Sequence, residues 1–217
     1  MCFSAPASFI AGAALSSLGV VTVTKVQEKK ELPFALLPLL FGIQQLAEGF
    51  VWLTLQGHFE GCNIMATNIF AFFAYAFWPI YIPFAIWIME KKGWRRMALY
   101  CTQAAGLVVG GYLLISMFFE PFVSQINHNS IAYLKYIPWL EVLVVLYGIG
   151  TVGALILSSR RFIQLFGVLM ALTATVAYWH YFHAFESVWC FFAAVLSIMV
   201  CAYFWKRKEG TIISERL

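Results

Sequence analysis

Aspartate is absent from this 217-residue chain, and charged residues of all kinds make up only 11% of it, against about a quarter in soluble domains. So few ionised groups cannot keep a folded surface in water when 62% of the residues are hydrophobic and the mean hydropathy is +0.82. A soluble enzyme, a disordered segment and a secreted disulfide scaffold are therefore excluded. Also missing are a phosphate loop, a dinucleotide fingerprint, a serine-hydrolase elbow and a His-Glu-x-x-His zinc helix. The last apolar stretch has no lysine within it, which argues against a retinal pigment.

What the chain does have is long apolar runs. A hydrocarbon core about 30 Å thick asks for roughly 20 apolar residues per helix. Seven such stretches are present, Ser4 to Val23, Pro33 to Leu55, Ile64 to Met89, Met97 to Phe119, Pro138 to Leu157, Phe162 to Tyr181 and Glu186 to Trp205, separated by short polar breaks. The break at Arg160 and Arg161 requires a tight helix hairpin. The expected fold is an all-α polytopic membrane bundle of seven transmembrane helices over residues 1–205, followed by a basic cytoplasmic tail over 206–217.

Lys and Arg accumulate on the cytoplasmic side of membranes. Of the 14 here, all but Lys135 lie in alternate breaks and the tail. That bias puts the N-terminus outside and the C-terminus in the cytoplasm, as an odd number of spans requires. The inner face then carries +8 and the outer face −4, so the outer face favours cations. The pI near 8.8 reflects this partition and implies no nucleic-acid partner. No Lys or Arg precedes the first apolar run, so it reads as a retained helix and not as a cleaved signal. Its Gly12, Gly19 and neighbouring Ala and Ser residues suit close helix contact.

An internal repeat is suggested by Leu40-Phe41-Gly42-Ile43 and Leu165-Phe166-Gly167-Val168, which are offset by 125 residues, as are His58 and His183. The resulting three-plus-one-plus-three arrangement resembles, in topology, the sugar-efflux SWEET transporters. The Pro-Gln pair of the related PQ-loop proteins is missing.

Glu48 stands out among the polar residues. At about 1.5 Å per residue from Pro33 it lies about 22 Å into the second span, at a depth where a carboxyl is neutralised, paired or reached by water. Gln44 and Gln45 lie one turn before it and Trp52 one turn after, so the four form a stripe expected to line a polar cavity opening outward. A proton or cation site and an interhelical packing bond are the two readings of Glu48.

His58, His128, His180 and His183 all fall towards the outer side. If its helix continues, His180 shares a face with His183, and Glu186 extends the stripe to the cavity mouth. With Cys190, or with Cys62 or Cys2, the set His58, His180 and His183 would suit a divalent metal such as zinc, or copper. The alternative is that these rings populate the interfacial belt. Cys2, Cys62 and Cys190 face the outer side, where one disulfide is permitted. Cys101 and Cys201 read as inert core thiols. Cys2 also occupies the place of an N-terminal nucleophile, without an assignable base. Pro79 and Pro83 kink the third span and free carbonyls near Tyr75 and Pro79. Gly106, Gly110, Gly111, Gly148, Gly150 and Gly153 read as packing seams.

The opening Met1-Cys2-Phe3-Ser4-Ala5, the run from Gln44 to Trp52 and the run from Ser187 to Ala194 resemble an uncharacterised family of bacterial multi-pass membrane proteins, classed as a domain of unknown function. The resemblance implies a prokaryotic inner membrane and brings no activity with it. Three functions are expected on these grounds. The first is transporter-like or ligand binding, for a small solute or cation, with Glu48 as the proton or cation site. The second is a metal-dependent membrane hydrolase, by analogy with ceramidase-like seven-helix enzymes, although their Asp is lacking. The third is a sensor or assembly factor whose basic tail, Lys206 to Lys208, contacts anionic lipid.

Overall fold

The computed structural model describes residues 4–127 and 130–215, with side chains except at 60 and 207–215. Seven helices among these residues are long and apolar enough to cross a membrane: α1 (Ala5–Val23), α2 (Lys29–Leu55), α3 (Asn63–Met89), α4 (Trp94–Phe119), α5 (Leu140–Leu157), α6 (Arg161–His180) and α7 (Phe182–Lys206). The protein is therefore a multi-pass membrane protein in contact with lipid. Cys2 and His128 lie outside the described residues.

Local chemistry sets the helix ends. Ser4 caps α1 by accepting from the Ala7 N–H at 3.4 Å, and Pro6 in the first turn needs no partner for a missing N–H. α2 opens four residues earlier than the apolar count suggests, through a 3₁₀ turn at Lys29–Glu31. α6 stops at His180, and α7 opens with a 3₁₀ turn over Phe182–Ala184. The helix does not carry through, so His180 and His183 do not share a helix face as expected. The final helical segment, Ile198–Glu215, runs past Trp205 into the tail.

The break from Glu120 to Tyr136 is not a plain loop. It holds an antiparallel pair, β1 (Val123–Asn127) and β2 (Ser130–Leu134), which adds a hairpin to the otherwise all-helical fold. Its residues pack into an apolar cluster with Ala5, Trp52, Phe70 and Cys190. Asn68 fastens it to α3, accepting from Phe122 N at 3.1 Å and donating to Phe122 O at 3.4 Å. Ser124 bonds Thr67 at 2.8 Å, and Phe70 stacks on Tyr133 at 4.4 Å.

The opposite, basic end is tied by polar contacts. The fully buried Glu31 pairs with Arg160 at 2.8 Å, and Arg160 also donates to the Tyr203 hydroxyl at 3.2 Å. Burial opposes the Arg160 charge, but the bonds with Glu31 and Tyr203 outweigh it and raise the guanidinium pKa. The Glu90 carboxylate accepts from Ser159 N at 2.9 Å, which holds the tight α5–α6 turn.

Between these ends α2 is the most buried helix, with 61% of its span enclosed, against 22% for α5. Glycines permit the close approaches. A Cβ on Gly42 would sit 2.5 Å from Ser16 Oγ, and one on Gly12 2.7 Å from the Leu46 side chain, so α1 and α2 meet at their backbones. Gly106 covers the Pro79 carbonyl, and Gly150 comes up against Gly106. The carbonyls around the prolines are thus taken by neighbouring helices: a π-helical stretch covers Phe72–Phe77, and within it Ala74 O accepts from Tyr147 at 2.7 Å, while Ile80 O accepts from Gln103 at 3.2 Å.

Candidate functional site

One face of α2 carries Phe41, Gln44, Gln45, Glu48 and Trp52, at the three- and four-residue spacing that keeps side chains on one side of a helix. That face points into the bundle. Gln44, Gln45 and Glu48 are fully buried, and Trp52 nearly so. The Glu48 carboxylate accepts from the Ser187 hydroxyl on α7 and from Gln45 Nε2 at 3.3 Å. Gln44 Oε1 accepts from the Trp78 indole on α3 at 2.7 Å.

A second carboxyl reaches the same place from α7. Glu186 lies near enough to the Tyr75 hydroxyl of α3 to act on it electrostatically. Glu48 and Glu186 both act electrostatically on the buried Cys190 thiol. Four helices, α2, α3, α5 and α7, thus contribute polar groups to one cluster, the α5 group being Tyr147.

Several polar atoms in the cluster remain unmatched. Gln44 Nε2 has no hydrogen-bond partner among the described residues. Gln45 Oε1 and Trp52 Nε1 have no hydrogen-bond partner among them either. Leaving such a group buried costs about 1–3 kcal/mol, so the cluster is an unfavourable way to build mere packing.

Next to it, towards the basic end, lies a cavity of about 30 Å³. Its walls are Phe41, Trp78, Tyr147, Phe166, Met170 and Trp189, with Cys190 where cavity and cluster meet. The hairpin-side residues Phe122, Ile131 and Tyr133 share an apolar cluster with Trp52 and Cys190, while Phe34, Phe166 and Phe204, all fully buried, pack together towards the Glu31–Arg160 pair. Glu48 itself is fully buried, where the sequence suggested a cavity open to the outside.

A match to DUF6629, a family of unknown function, extends over residues 1–215. The chain belongs to that family. The resemblance carried by three short runs thus covers nearly the whole chain. No curated protein and no solved structure matches it.

Of the candidate residues, the structure gathers Gln44, Gln45, Glu48, Glu186 and Cys190, with Trp52 one turn along α2. It leaves His58, His180 and His183 exposed, away from the buried Cys190. Among the described residues no three His, Cys or acidic side chains gather as a metal group. Cys62 is exposed and Cys190 buried, and neither is paired. Cys101, expected in the core, is exposed on the bundle surface. Sequence reasoning missed Ser187, Tyr75 and Tyr147 as members of the cluster. Ser187 is adjacent to Glu186 and three residues before Cys190, a spacing that carried the signal. The tyrosines sit in apolar runs and carried none.

Proposed function

We propose that this membrane protein is transporter-like, binding a small solute or cation at an occluded site in which Glu48 is the proton or cation site. The observation that supports this is that two carboxyls, Glu48 and Glu186, act on Cys190, which lines a small cavity within the bundle. Intramembrane acids that face a bundle interior are costly and mark ion or substrate paths. The apolar packing towards the hairpin end and towards the basic end is that expected of an occluded state, in which rocking of helices would open one end at a time.

The finer topology belongs to this reading. The N-terminus lies outside and the C-terminus in the cytoplasm of a prokaryotic inner membrane, which puts the hairpin on the outer face and the basic tail against anionic lipid. The two halves are a repeat, and two pairs of positions support it. Phe41 and Phe166, 125 residues apart, both line the cavity. Gly42 packs on α1 and Gly167 on α5, in each case the preceding helix.

Vesicles containing the purified chain and a pH-sensitive dye, energised by an inside-negative potential, test the proposal. They should acidify faster than empty vesicles, and Glu48→Gln should slow acidification at least tenfold while remaining monodisperse. Equal rates for wild type, Glu48→Gln and empty vesicles refute it.

A further inference from the structure

The chemistry of the cavity wall narrows what the site holds. A water needs about 10–15 Å³ of such space, so a cavity of about 30 Å³ takes a ligand of only a few heavy atoms. Five aromatic rings, those of Phe41, Trp78, Tyr147, Phe166 and Trp189, come from five different helices. Aromatic faces attract weakly hydrated cations, most strongly where water is excluded. The wall has two hydroxyls, each donating its proton elsewhere, Tyr147 to Ala74 O at 2.7 Å and Thr151 to Tyr147 O at 2.8 Å, so they leave at most two oxygens for a cation. Hard metal ions demand several oxygen ligands, and this wall does not offer them.

Charge and hydrogen bonding point the same way. Glu48 and Glu186 do not line the cavity but both act electrostatically on Cys190, which does, and two acids beside the wall disfavour an anion. Gln45 Oε1 is a fully buried acceptor without a partner among the described residues, so the cluster can take an N–H donor. We infer that the cavity holds a small alkylammonium ion, its alkyl part among the rings and its charged nitrogen turned to the acid cluster. This rests on the cluster being a cation site and goes beyond it by naming the class of cation.

The test is calorimetric titration of the full chain in nanodiscs with methylammonium chloride, with sodium chloride, potassium chloride and sodium acetate as comparisons and empty nanodiscs as blank. Methylammonium should bind saturably and the other salts should not. Phe41→Leu, which keeps volume and removes a ring, and Glu186→Gln should each weaken binding about tenfold or more. Thermal melting and monodispersity of each variant identify any that fail to fold. Absence of methylammonium saturation, or saturation equal to that of empty nanodiscs, overturns the inference. If Glu48-dependent proton flux persists in that case, only the ligand class falls; if flux is absent as well, the cation-site reading falls with it.

Discussion

Replacing Arg160 by Met should destabilise the protein sharply, and the loss should be largely restored by a second change, Glu31→Gln. Glu31 is fully buried and its carboxylate lies 2.8 Å from the Arg160 guanidinium. At an effective dielectric of about 20 the gross attraction at that distance is about 6 kcal/mol. Desolvation of both ions cancels most of it, so the intact pair adds little net stability. Removing one partner is different, since the buried carboxylate then keeps its desolvation penalty without its compensation, and about 3–5 kcal/mol is lost. Tyr203→Phe removes only a hydroxyl acceptor 3.2 Å from Arg160 and should cost about 1 kcal/mol. Thermal melting of the single and double variants in one detergent completes the cycle. At about 2–4 °C per kcal/mol for a chain of this size, Arg160→Met should melt about 6–20 °C lower. If the double variant melts as low as Arg160→Met alone, the two groups are uncoupled and the ion-pair reasoning is wrong.

The same logic gives smaller, local predictions. Asn68→Ala removes two bonds to Phe122, about 1–3 kcal/mol together; hydrogen exchange of the β1 and β2 amides should quicken while those of α2 stay protected. Gly106→Leu drives a side chain into the Pro79 carbonyl, and the protein should lose at least about 1–3 kcal/mol by overpacking; an unchanged melting temperature would contradict the close α3–α4 crossing. With the remaining thiols replaced, a maleimide should label exposed Cys62 rapidly and buried Cys190 only on unfolding; fast labelling of Cys190 would show that the site is open.

The seven helices were legible because a span has a length requirement and a composition requirement, and a linear count detects both. The face of α2 was legible for a related reason. Gln44, Gln45, Glu48 and Trp52 obey helical spacing, so a single helix announces them as one surface. What a linear count does not encode is which helix supplies the partners. Ser187 and Trp78 are bonded to that face only because α3 and α7 flank α2, and nothing in an apolar run marks that adjacency.

The histidines fail for the opposite reason. His180 and His183 have ligand spacing only if the helix continues, and it ends at His180. The hairpin was hidden by length, since two strands of five residues each give little periodic signal. Its effect on the site is nevertheless large, because Phe122, Ile131 and Tyr133 share an apolar cluster with Trp52 and Cys190. The prolines act through their neighbours as well. Pro79 deprives the third span of a backbone donor, the helix relaxes into π geometry at Phe72–Phe77, and the Ala74 carbonyl becomes an acceptor for Tyr147. That bond fixes α5 against α3, with the Tyr147 ring in the cavity wall and Tyr75 near Glu186. A kink that reads as static packing in one dimension therefore helps to position both the aromatic wall and the second acid.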